Sequence, residues 1–232
     1  MTGTQVQKFT LAVLLSLSPG GLAQQADRPH ILLDQSLRAV EYQLNRLTND
    51  ELSRVERKTD EAKYRPVYVA LLTRKGMAKE FRDEAVAALV KMDRATPARV
   101  LLDALGRIPV SDEATADKLT AILLAQSPAI LRQQRDDILL AIAPTLPFIA
   151  LGGGARPAGV VAQDPASFPP AVLRAARAAL VVADGAPEAW TRALTDNGPL
   201  VPLLGAVRLI PSPELRSLLF EPVVALVTGT AD

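Results

Sequence analysis

Cysteine is absent from this chain, and histidine occurs once, at His30. The first absence removes disulfides, thiolate metal sites, thiol nucleophiles and covalent c-type haem attachment, so stability must come from packing alone. The second leaves imidazole chemistry to a single residue in a stretch, 24–33, that reads as a flexible mature N-terminus. An excess of charge of one sign is missing too. Lysine plus arginine number 26 against 25 acids, with no polybasic or polyacidic tail. The field around such a molecule is weak, and neither a nucleic acid nor an anionic membrane is an expected partner. Period-2 alternation, the mark of half-buried strands, is also wanting.

What is present begins with an export pattern. Lys8 supplies a positive n-region, Phe9 to Leu17 a short apolar run, and Gly21-Leu22-Ala23 the small residues that a signal peptidase reads. Residues 1–23 are therefore expected to be a signal peptide, with the mature chain starting near Gln24 in a periplasmic or secreted setting. The apolar run stops at Ser18-Pro19-Gly20-Gly21, short of the roughly 20 residues of a membrane span. No stable membrane insertion is expected after cleavage. Removing residues 1–23 takes one base, Lys8, and no acid, leaving 25 of each. With 232 residues, 49% of them hydrophobic, the chain can bury a core in one elongated domain or two small ones.

Beyond the signal, apolar residues recur at spacings of three and four, which predicts an all-α fold. Asp34 is placed to cap a first helix with an inner stripe of Leu37, Val40, Leu44 and Leu47. Thr48-Asn49-Asp50-Glu51 forms a capping box opening a second, with Leu52 and Val55 inside. Pro66 opens a third helix that Gly76 stops, and Met77 to Ala95 reads as a fourth with Phe81, Ala85, Ala88, Leu89 and Met92 on one face. The same punctuation returns at Thr96-Pro97 with Gly106, at Ser127-Pro128 for a helix through Ile142, and at Ser212-Pro213-Glu214 before Gly229. Asp112 to Ala125, Pro170 to Ala183 with Gly185 as its stop, Pro187 to Leu194 and Leu200 to Leu209 complete the helical segments. About nine or ten helices joined by short turns suggest a HEAT-like α-solenoid of stacked pairs, with an orthogonal helical bundle as the alternative. The expected division is a helical region over 34–143, a Pro/Gly-rich loop or insertion over 144–169, and a C-terminal helical region over 170–232.

Constellations that carry chemistry are sparse. Gly152-Gly153-Gly154 with Arg156 offers backbone N–H groups, but GxxxxGK[ST] is absent and no strand precedes it, so a loop is the reading. Asp83-Glu84 and Asp136-Asp137 are helix neighbours about 100° apart, which suits solvated faces rather than a catalytic pair. No HExxH occurs, and no serine can be matched with an ordered histidine. No catalytic residue, cofactor or metal site is predicted.

The densest basic and aromatic stretch runs from Glu56 through Glu84. Two readings stand side by side. Arginines there could cross-link helix pairs through carboxylates, with tyrosines packed between. Alternatively Tyr64, Arg65, Tyr68 and Arg74 form a partner-binding patch, since tyrosine and arginine dominate interface hot spots. Arg82 is expected to be buried and structural, with Asp83 and Glu84 as its nearby carboxylates.

Arg38-Ala39-Val40-Glu41-Tyr42-Gln43-Leu44-Asn45-Arg46-Leu47, then Val55-Glu56-Arg57-Lys58-Thr59-Asp60, Lys63-Tyr64-Arg65-Pro66-Val67-Tyr68 and Leu71-Leu72-Thr73-Arg74-Lys75-Gly76 resemble a HEAT-like helical region of secreted bacterial PVC-type haem-binding CxxCH proteins. Phe81-Arg82-Asp83-Glu84-Ala85 and Leu101-Leu102-Asp103-Ala104-Leu105 extend the likeness over 31–143, and 170–228 follow loosely. The resemblance implies an exported helical region found beside redox and carbohydrate-facing modules, as a separate protein or the front of a longer gene. No CxxCH is present, so haem binding and electron transfer do not carry over. Residues 144–169 have no counterpart in that likeness. The expected function is a non-catalytic scaffold that docks another protein, an exported cytochrome being the implied partner. The alternative is a carrier of an apolar small molecule in a crease near 138–151, where Pro144 and Pro147 break the apolar run.

Overall fold

The computed structural model describes residues 28–142, 169–185 and 200–228. The protein is all-α, and no strand occurs among the described residues. The helices are α1 (Leu37–Arg46), α2 (Asn49–Arg54), α3 (Arg65–Thr73), α4 (Lys79–Asp93), α5 (Pro97–Leu105), α6 (Glu113–Leu124), α7 (Pro128–Gln133), α8 (Arg135–Ile142), α9 (Pro170–Asp184), α10 (Leu200–Val207), α11 (Pro213–Leu218) and α12 (Phe220–Thr228). A short 3-10 turn, Ala62–Tyr64, leads into α3.

Most starts follow from local side-chain chemistry. At Thr48 the capping box is complete: the Thr48 hydroxyl accepts from the Glu51 N–H, and the Glu51 carboxylate accepts from the Thr48 N–H at 2.7 Å. Thr96, Ser127 and Ser212 accept from the N–H three residues on, each followed by proline in the first turn. Asp112 caps α6 in the same way. The first helix departs from expectation: Ser36, not Asp34, is its cap, and Leu37 is 59% exposed rather than part of the inner stripe. Two helices expected as single units are broken, one at Gln134 between α7 and α8 and one at Leu219 between α11 and α12.

Packing proceeds by near neighbours from α1 to α6, with α1 on α3, α3 on α4, α4 on α5 and α5 on α6. It then converges on α9, which touches α5, α6, α7, α8 and α10. That helix is built for burial. Ala175, Ala176, Ala178, Ala179 and Ala183 are fully inaccessible, and these small side chains let several helices approach at once. Leucines 44, 52, 71, 72, 101, 102, 105, 119 and 123 continue the same core through the first half. The predicted helix Pro187 to Leu194, Gly152 to Arg156 and all of the 144–169 segment but Pro169 lie outside the described residues, as does the crease beyond Ile142.

Candidate functional site

The stretch 56–84 contains both cross-links and core. Arg57 makes a bidentate pair with Glu84, 2.7 Å at both Nε and Nη2, and its guanidinium lies over the Phe81 ring. That pair is the main reason the Arg57 guanidinium is pushed above its ordinary pKa. Arg65 makes an equivalent pair with Asp93, at 2.8 Å twice, with the same effect on its pKa. These contacts join the 55–60 loop to α4 and the start of α3 to the end of α4.

Of the four side chains expected on a contact patch, two are core residues. Tyr64 is 5% exposed and Tyr68 3%, because α3 turns both toward the cluster containing Leu71 and Val67. Arg74 is half-buried and donates to the Leu44 and Leu47 carbonyls at 2.7 and 3.2 Å, so its charge closes the C-terminal end of α1. Only Arg65 keeps substantial exposure, and its fork is already occupied by Asp93. The four are close in sequence but form no open patch.

A different place has the character of a site. Between the α3–α4 turn and α6 lies a half-open groove of about 700 Å³. Met77 and Ala78 form one wall, and Ala121, Ile122 and Ala125 the other. Lys118, Ala121, Ile122 and Ala125 recur at three and four, so a single face of α6 lines it. The turn is held in place by Gly76, at φ +74°, where a Cβ would approach the Asn49 amide nitrogen to 3.2 Å. That nitrogen donates to the Lys75 carbonyl at 3.0 Å, fastening the turn to α2.

Arg82 lies at the groove and is 2% exposed. Its expected carboxylate partners are engaged elsewhere: Glu84 with Arg57, and Asp83 with Lys79 at 2.5 Å. Arg82 instead donates through Nη2 to the Arg74 carbonyl at 2.8 Å, and its buried Nε has no acceptor. Burial without a counter-charge drives its pKa below the usual arginine range, an effect that Asp112 partly opposes. Across the groove, the Ala98 N–H donates to the Gln134 Oε1 at 2.8 Å, and the Gln134 Nε2 donates to the Gln126 Oε1 at 2.9 Å. This relay fixes the Gln126 amide and leaves its buried Nε2 without an acceptor. Sequence alone marked Arg82 as buried but gave no sign of the groove, which depends on the spacing of α4 and α6.

Among the described residues, no cluster of three or more His, Asp or Glu side chains could hold a metal ion. No described helix is long and apolar enough to cross a membrane. Compared with protein-family models, curated proteins and solved structures, the chain has no match.

Proposed function

We propose that the protein is an exported, non-catalytic helical scaffold that docks another protein, with the groove between α4 and α6 as the docking face. The observation that carries this reading is the groove's form. It is half-open and lined by side chains from the α3–α4 turn, α4 and α6, and a groove between helices is a form that receives extended or helical partners. A HEAT-like stacking of α1 to α6, closed by α9, is the architecture this reading assumes, and the near-neighbour packing of those helices favours it. The resemblance to the helical region of PVC-type cytochromes makes an exported c-type cytochrome the partner class to test first.

The test has two parts. Expression of the whole chain in a Gram-negative host should give an exported product whose N-terminus, read by mass spectrometry, is at or near Gln24; a membrane-retained product of full length would sink the export reading. A photo-crosslinking amino acid placed at Ala121 in the groove, or at Val110, which is 80% exposed and outside the groove's lining, is then activated in cells of the source organism. The groove position should give one discrete adduct and the control none. Adducts equal at both positions, or at neither, would defeat the docking reading.

A further inference from the structure

Arg82 and Gln126 are two hydrogen-bond donors facing one cleft, both fixed by the fold, both with buried nitrogens that lack acceptors. Buried polar groups are nearly always satisfied, so each orphan calls for an explanation. An arginine offers five N–H donors, and this one places a single bond, to the Arg74 carbonyl. It also makes no ion pair among the described residues, and only the Asp112 charge acts on it, without contact. A buried, unneutralised guanidinium is costly, and the cost is recovered when a counter-charge arrives in the same low-dielectric place.

The rest of the groove agrees in sign. Lys79 and Asp83 neutralise each other at the edge, leaving Lys118 as a further cation with no ion pair among the described residues. Met77, Ile122, Ala121 and Ala125 supply the apolar remainder, and the two alanines lower the α6 wall enough for a backbone to lie close. From Lys118 to Ala125 the wall is about 10 Å long at 1.5 Å per residue, the length of two helical turns of a ligand.

Resting on the docking reading above, we propose that the groove receives an apolar polypeptide segment carrying one carboxylate, and that Arg82 and Gln126 bind that carboxylate. The partner is thereby defined by chemistry: aliphatic side chains on either side of a single Glu or Asp, or a chain ending in its own carboxylate. A lysine at that position would meet Arg82 and Lys118 and be rejected.

The experiment uses the mature chain and three fluorescein-labelled, amidated nonapeptides rich in leucine and alanine, identical but for a central glutamate, glutamine or lysine. Fluorescence anisotropy should show the glutamate peptide binding at least tenfold more tightly than the glutamine one, with the lysine peptide weakest. Ala121 and Ala125 are solvent-exposed, so Ala121→Trp fills the groove without entering the core and should abolish binding of all three. Arg82→Met should erase the glutamate preference. If that variant fails to fold by circular dichroism, Gln126→Met takes its place, and a preference left intact there overturns the proposal. Glutamate and glutamine peptides that bind equally well, both lost in Ala121→Trp, would overturn the carboxylate assignment and leave docking standing. No peptide binding, binding that survives Ala121→Trp, or capture of decanoate alone would overturn both.

Discussion

Replacing Arg74 with methionine keeps the aliphatic stem and removes only the guanidinium. In the native fold that group gives two charge-assisted hydrogen bonds to the last carbonyls of α1, at Leu44 and Leu47. Net values for bonds to charged groups are about 1.5–3 kcal/mol each. Arg74 is half-buried, so water can replace part of what is lost, and the lower end applies. The favourable cation at a helix C-terminus adds about 0.3–1 kcal/mol at low salt. Arg74→Met should therefore destabilise the protein by about 3 kcal/mol. With a urea slope of about 2 kcal/mol/M, that is a midpoint lowered by about 1.5 M. Amide exchange should speed up first in α1 and the α3–α4 turn, because only those elements lose their clasp. A change below about 0.5 kcal/mol, the size expected of an ordinary surface substitution, would show that Arg74 is not a structural cap and would reopen its assignment to a contact patch.

Three other outcomes follow from the same structure. Hydrogen bonds from the Thr48 backbone and then its hydroxyl hold the Glu51 carboxyl below its ordinary value of 4.5, so its contribution to stability is complete above that pH and is lost as pH falls through the lower folded value. Thermal midpoints measured from pH 3 to 7 should fall more steeply below 4.5 for the native chain than for Glu51→Gln, and parallel curves would refute the capping box as the cause. Leu101 in α5 is fully buried, and Leu101→Ala should cost about 2–5 kcal/mol in urea unfolding; a loss under 1 kcal/mol would contradict the packing described for α5. Arg94 closes α4 at φ 51°, so Arg94→Gly should stabilise by about 0.5–1 kcal/mol, whereas Gly76→Ala, with its φ of +74° and the close Asn49 contact, should destabilise by roughly 1–2 kcal/mol, and opposite signs in calorimetry would disprove the backbone argument.

What the sequence made legible was local. Thr48, Thr96, Asp112, Ser127 and Ser212 cap helices because a short polar side chain needs only its own next three residues to do so. Ser36 displaces Asp34 by the same local logic, two residues later than the spacing implied. The break at Gln134 was not legible, since no glycine or proline marks it; that residue spends its side chain on the distant Ala98 and on Gln126. The fate of the tyrosines was equally hidden. Tyr64 and Tyr68 read as interface residues by type, and only the tertiary placement of α3 turns them inward. The groove lies further still from the sequence, because Lys79 to Asp83 on α4 and Lys118 to Gln126 on and just after α6 come together only in the folded chain.

One habit of the fold connects these observations. Its helices are short, so a large share of its backbone carbonyls sit at helix ends without intrahelical donors. Arginines bond several of these end carbonyls: Arg57, just beyond α2, those of Ser53 and Val55, Arg74 those of Leu44 and Leu47 at the end of α1, and Arg132 that of Ala183 at the end of α9. In a chain without cysteine, two of these side chains join elements distant in sequence, Arg74 at the end of α3 to α1 and Arg132 in α7 to α9. Arg57 is satisfied further by Glu84, and Arg65 by Asp93. Arg82 follows the habit only as far as the Arg74 carbonyl and then stops, deeply buried, with no ion pair among the described residues and only the Asp112 charge acting on it from farther off. A residue kept for stability alone would do better as leucine, since exchanging a buried charge for well-packed apolar atoms is often neutral or stabilising. Arg82 thus has chemistry that exceeds its structural use, and it stands at the wall of a groove of about 700 Å³.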